Sequence, residues 1–176
     1  MTVSAVAREQ VRQRADFTCE FCGVSETDVG GQLTVDHFQP IAKEGSADLD
    51  NLIYCCIHCN QYKADYWPQL SDDPLLWNPR SESALKHFFQ LEDGRLHPLT
   101  PVGAFTLRRL RLNRAPLLAH RLRKQQIAEG VRLLARYRDL VRLTEELLSQ
   151  QSVLVEEQRA LLKEQQELLR WLLSKQ

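Results

Sequence analysis

Two Cys-x-x-Cys pairs, Cys19-Glu-Phe-Cys22 and Cys56-Ile-His-Cys59, lie 33 residues apart in a chain of 176. A two-residue gap lets a tight turn aim both thiolates at one ion, and two such knuckles complete a tetrahedron. The pattern predicts a structural zinc site made of Cys19, Cys22, Cys56 and Cys59. Its binding energy would help to fold a small body that has little core of its own. Gly23, directly after the first pair, supplies the positive φ such a turn often needs. A site closed by four sulfurs keeps no open position, so the zinc is expected to be chemically silent. Redox pairs or unrelated buried cysteines are the competing reading, which two matched pairs disfavour. Cys55 is the fifth cysteine and the odd one out. Cys56 preserves the two-residue gap, so Cys55 is expected to be a small buried apolar residue on a strand.

The segment between the knuckles reads as two apolar runs, Leu33–Phe38 and Leu52–Cys55, around a Gly/Asp-rich loop, Ile41–Asp50. A polar helical stretch follows from about Ile57 to Tyr66, and a short amphipathic helix over residues 4–15 precedes the first knuckle. Asp36 and His37 are neighbours in a β-branched run, so their side chains point to opposite sides. They offer a hard-metal ligand and a general base, although for Asp-His alone a buried, hydrogen-bonded histidine is the default expectation.

The order of elements narrows this: knuckle, Asp-His strand, Gly/Asp loop, Asn-Leu strand, knuckle, then Asn60 on a helix. It resembles the HNH nuclease family, whose ββα-metal motif is often held by a pair of zinc knuckles. The resemblance covers about Cys19–Asp65. By position His37 matches the family's first His, Asn51 its middle Asn and Asn60 its last His. The sequence departs at that third place and reads H-N-N, an accepted variant. The resemblance implies a metal-dependent endonuclease that hydrolyses DNA phosphodiester bonds. His37 would be the general base, with one divalent ion held by the Asp36 carboxylate and the Asn60 amide oxygen. Asn51 would pin the loop and orient His37 through a backbone hydrogen bond. Oxygen ligands favour Mg²⁺ or Mn²⁺ over softer metals. A ribonuclease of the same chemistry and a catalytically inactive zinc-stabilised nucleic-acid-binding module stay open as alternatives. Lys63, one turn beyond Asn60, is expected either to contact phosphate or to be solvated. His58 is expected at the surface or on phosphate, and His87, His97 and His120 lie in no metal-ligand spacing.

The formal net charge is zero, with 23 Lys+Arg against 23 Asp+Glu, which on its face argues against a polyanionic partner. Counted by segment, residues 1–104 hold 8 basic and 15 acidic residues, a balance of −7. Residues 105–142 hold 11 basic and 2 acidic, a balance of +9, and residues 143–176 hold 4 and 6, a balance of −2. Arg108, Arg109, Arg111, Arg114, Arg121, Arg123 and Lys124 form a basic arm expected to contact nucleic acid, DNA first with RNA also possible. The opposing reading pairs these charges with acids of the −7 body. Leu75-Leu-Trp-Asn-Pro79 and Gly94-Arg-Leu-His-Pro-Leu-Thr100 look like an extension found in some bacterial HNH proteins.

Residues 67–103 are rich in Pro and Gly and read mostly as turns, with one short helix near Glu82–Phe89. Helical texture begins near Thr106, Pro116 should open a new helix, and Gly130 marks a weak point. Beyond it, residues 131–176 contain no Gly or Pro over 46 positions. Leucine recurs every seven residues at 133, 140, 147, 154, 161 and 168, each followed by a second apolar residue. Such a strict period specifies a left-handed coiled coil and a homo-oligomer, unless the helix folds back on its own body. Gln151, Gln158 and Gln165 on the seam would weaken a narrow core or fix its register.

The expected class is α+β: a small ββα-metal domain, then a mainly helical region ending in a long coiled-coil helix. The expected segments are 1–66 as the zinc-stabilised nuclease-like domain, 67–104 as an irregular connector, 105–130 as the basic helical arm and 131–176 as the oligomerisation helix. No apolar run approaches 18 residues, so no transmembrane helix is expected. The N-terminus, MTVSAVAREQVRQRAD, turns charged too early for a signal peptide. An odd cysteine count without an export signal then points to a reducing, cytoplasmic setting.

Overall fold

The computed structural model describes residues 3–174, so positions 1, 2, 175 and 176 of the outermost expected segments lie outside the described residues. The described residues are 58 % helical and form two small antiparallel sheets, and the class is α+β. Helix α1, Ala5–Arg14, starts at Ser4, whose hydroxyl accepts from the Ala7 amide at 3.1 Å. The first knuckle follows and closes on Gly23 at φ 74°. A short helix α2, Glu26–Val29, begins in a capping box of Ser25 and Asp28.

Strands β1, Thr34–His37, and β2, Leu52–Cys55, pair antiparallel with Thr34 opposite Cys55 and His37 opposite Leu52. All of β2 is buried because each of its faces meets a different layer. Leu52 and Tyr54 pack on Val11 and Ala15 of α1. Ile53 and Cys55 join the knuckle cysteines, Phe21 and Phe38 on the other side. Burying each such aliphatic side chain contributes about 1.5–3 kcal/mol.

Helix α3, Ile57–Lys63, stops short of Tyr66 because Ala64 turns to a positive φ of 52°. The connector is more ordered than its composition suggests. After α4, Ala84–His87, it forms a hairpin of β3, Phe88–Gln90, and β4, Leu96–Pro98. Helix α5, Pro101–Arg109, begins before Thr106, with Thr100 as its cap and proline in its first turn. Gly103 is the point of close approach there: a Cβ would lie 2.4 Å from the His87 carbonyl oxygen. Leu76, Trp77, Phe88, Leu110, Leu112 and Leu117 share one core with the zinc-knuckle residues.

Helix α6, Ala115–Leu173, carries Pro116 in its first turn, one residue after its start, and runs unbroken through Gly130. A mid-helix glycine costs about 1 kcal/mol without removing a hydrogen bond or clashing. Strong helix formers on both sides outweigh it. The chain divides into two compact units, one ending at Lys124 and one beginning at Gln125. The stretches divided by the sequence at 66/67 and 104/105 therefore share a unit. In the second unit the seam leucines are 58–65 % exposed. Among the described residues no helix is long and apolar enough to cross a membrane.

Candidate functional site

The four knuckle sulfurs, of Cys19, Cys22, Cys56 and Cys59, all lie within 4.8 Å of one another, and all four residues are buried. The Cys22 and Cys56 sulfurs are 3.7 Å apart. A zinc–sulfur bond of about 2.3 Å gives a tetrahedral edge of about 3.8 Å, so the cluster has the dimensions of a zinc site. Local structure aims the sulfurs. In the first knuckle the Gly23 amide donates to the Cys19 carbonyl at 2.8 Å. In the second, Cys56 caps α3 and its sulfur accepts from the Cys59 amide at 3.4 Å. Hydrogen bonding from Cys19 pulls the Cys56 thiol far below its ordinary range. Cys55 stays outside the cluster, buried on β2 with its sulfur 3.7 Å from the Thr34 hydroxyl, and burial pushes its thiol up. His58 is exposed and no ligand of the cluster.

On β1, Asp36 faces α3, where the Lys63 ammonium donates to its Oδ2 at 2.8 Å. Lys63 is only 1 % exposed and also donates to the Ala64 carbonyl at 3.3 Å. This corrects both expectations for Lys63: it is neither solvated nor available to phosphate, because desolvating an ammonium requires the paired carboxylate it has found. His37 is half-buried, and its Nε2 is buried without a partner among the described residues. Burial pushes its imidazole below the ordinary value, against the pull of Asp36. Asn51 binds both backbone groups of Gln39, accepting from its amide at 2.8 Å and donating to its carbonyl at 3.0 Å. It also donates to the Ser46 carbonyl at 2.7 Å. The Asn51 backbone carbonyl accepts from the Phe38 amide at 2.7 Å. The asparagine thus clamps the residues that follow His37 and bonds to Gln39, not to His37. Asn60 is half-buried on α3, three residues before Lys63 and so on the same face.

The basic arm splits by environment. Arg108, Arg111, Arg123 and Lys124 are exposed. Arg109 is half-buried, donates to the Lys63 carbonyl at 3.1 Å and lies over the Tyr66 ring at 4.6 Å. Arg121 is 7 % exposed and donates to the Gly94 carbonyl at 2.5 Å and the Leu112 carbonyl at 2.8 Å. It is part of the interior, which removes it from the expected nucleic-acid contacts. Arg114 is half-buried, with its Nη2 3.9 Å from both the Cys56 and Cys59 sulfurs. Tyr62 was missed entirely: Arg111 and Arg114 stand over its ring at 4.8 and 5.6 Å. A contact across some fifty residues leaves no local spacing by which to find it. A groove of 830 Å³ lies beside the second knuckle, lined among others by His58, Tyr62, Arg114, His120 and Arg123. None of Asp36, His37, Asn51 and Asn60 lines it.

Residues 19–65 match the model of the HNH endonuclease family, a span that takes in both knuckles, both strands of the first hairpin and α3. No curated protein and no solved structure matches the chain. The match supports a nuclease-type function in general terms.

Proposed function

We propose that this protein is a metal-dependent HNH endonuclease that hydrolyses DNA phosphodiester bonds and carries a structural zinc on Cys19, Cys22, Cys56 and Cys59. The observation behind the reading is the buried Nε2 of His37, unpartnered among the described residues, at the end of a strand within the family match. In the tautomer that carries its hydrogen on Nδ1, a nitrogen left without a donor is free to accept a proton. Its lowered basicity keeps the ring neutral near pH 7, the form a general base requires.

Asp36 and Asn60 would hold the divalent cation. One carboxylate oxygen of Asp36 is engaged by Lys63, while Oδ1 and the Asn60 amide have no hydrogen bond to a described residue, so the donors left are oxygens that suit Mg²⁺ or Mn²⁺. Held there, such a cation would supply positive charge against the negative charge that develops on the phosphate and the departing 3′ oxygen. His37 takes a proton from the attacking water as its oxygen bonds to phosphorus. The bond from phosphorus to the 3′ oxygen breaks, and that oxygen picks up a proton. Asn51 keeps the Gln39–Ser46 turn closed so that His37 stays at the strand end. Arg108, Arg111, Arg123 and Lys124 supply exposed cations for the phosphate backbone, an attraction that should fall steeply with salt. The seam of residues 131–176 joins copies into a homo-oligomer.

Plasmid nicking in Mg²⁺, Mn²⁺ and EDTA, with single-stranded DNA and RNA alongside, is the test. His37→Ala should lose cleavage at least 100-fold while zinc content and circular dichroism are unchanged. Undiminished nicking by that variant rejects the mechanism. The engaged Asp36 and the Asn at the third position favour one other reading, an inactive module. That reading expects salt-sensitive binding with no cleavage in any metal.

A further inference from the structure

A zinc ion on four thiolates carries a net charge of −2, and this cluster is buried, so it needs positive charge close by. Among the described residues only one cation touches the sulfurs. The Arg114 Nη2 sits 3.9 Å from Cys56 and from Cys59, both of the second knuckle, and does not contact Cys19 or Cys22. Its orientation is fixed from three sides. Nη1 donates to the Leu110 carbonyl at 3.1 Å, more weakly to that of Arg111 at 3.4 Å, and the plane lies against Tyr62. No carboxylate of the described residues pairs with it, although it comes from the most basic stretch of the chain. A second arginine, Arg121, is buried on α6 after Arg114, donating to the Leu112 carbonyl at 2.8 Å and the Asn113 side-chain oxygen at 3.2 Å, and it touches none of the four sulfurs among the described residues.

We propose that Arg114 is a positioning residue of the zinc centre, the counter-charge that shields the Cys56–Cys59 thiolates. The inference rests on the zinc reading of the four cysteines. It assigns to the metal a cation that, on sequence alone, belongs with phosphate. It also ties the segment after α5 to a site 55 residues earlier, so that the second knuckle is complete only when residues 110–114 are folded against it.

The experiment uses the full chain as purified, with zinc quantified first. Zinc transfer to a coloured chelator is timed for the wild type, Arg114→Gln and Arg114→Lys. Alkylation of each cysteine is mapped by mass spectrometry in the same samples. Outer-shell partners are typically worth 10–100-fold in metal affinity. Arg114→Gln should release zinc at least 10-fold faster, with Cys56 and Cys59 alkylated ahead of Cys19 and Cys22. Arg114→Lys keeps the charge, loses the fork and should stay within a few-fold of the wild type. Both variants lose the Tyr62 contact, so equal acceleration in the two points to packing and overturns the proposal. Uniform alkylation of all four cysteines, or Arg114→Gln release within twofold of the wild type, overturns it as well. Protein without zinc and without affinity for added zinc overturns the zinc reading and this inference together. Should Arg114→Gln fail to fold, Arg114→Met and Arg114→Lys decide it. Faster release in the first and near-native release in the second support the counter-charge, and the reverse order rejects it.

Discussion

Glu26 sits between two donors, the guanidinium of Arg12 at 2.6 Å and the hydroxyl of Tyr54, and together they hold its carboxyl at about 2. Its ordinary value is about 4.3. A carboxylate depressed by folding stabilises the native state above its unfolded value, and this support is lost as the pH falls toward the folded one. The window is therefore about pH 4.3 down to 2. Glu26→Gln should be less stable than the wild type at neutral pH, and the gap should narrow through that window. Urea unfolding followed by circular dichroism at fixed free zinc, from pH 7 to 2.5, measures it, and a constant gap refutes the linkage. Residue identity was legible where chemistry fixes it, as in the four thiols that converge as their spacing implies, whereas the Asn51 role came from the family resemblance and its side chain bonds Gln39 and Ser46, not His37. It was illegible for cations. Lys63, Arg114 and Arg121 look like solvated charges in a linear string, because only the packed structure shows which one meets a carboxylate, a sulfur pair or two carbonyls.

Elements were legible where a single period governed the pattern. Strand β2 matches its apolar run at both ends, and α6 starts one residue before Pro116. The hairpin β3–β4 was not legible, because three-residue strands are too short to show alternation and their turn signals read as loop. Helix α5 began early for the same kind of reason, since Pro101 and Gly103 argue against helix unless a proline can serve in the first turn. Gly130 is the clearest test at this scale. A Cβ placed there meets nothing within 4 Å, and the position is helical. Gly130→Ala should stabilise that stretch by about 0.5–1 kcal/mol, read as a higher midpoint for thermal loss of the helical signal. A lower midpoint would mean that the glycine serves an unrecognised contact.

For the molecule as a whole, a neutral total conceals a −7 body, a +9 stretch and a −2 tail, yet the second of these is partly turned inward. Within the proposed 108–124 arm, nucleic-acid contact should then depend on the four exposed cations Arg108, Arg111, Arg123 and Lys124. In the second unit the leucines of six successive heptads are each more than half exposed, and a contiguous apolar stripe of that kind marks an interaction surface. Leu147→Asp combined with Leu154→Asp should reduce the sedimenting species to a single 20.4 kDa chain. A wild type that already sediments as one chain at tens of micromolar removes the case for self-association. The core of the first unit also equips the protein with its own optical gauge. The Trp77 indole donates to the Glu82 carbonyl at 3.0 Å and packs edge-to-face with Phe21, one of the two residues between the first two cysteines, at 6.2 Å. Its emission should shift when a chelator strips the knuckles, so in a chain carrying Trp67→Phe and Trp171→Phe, loss of metal becomes visible in real time without a label.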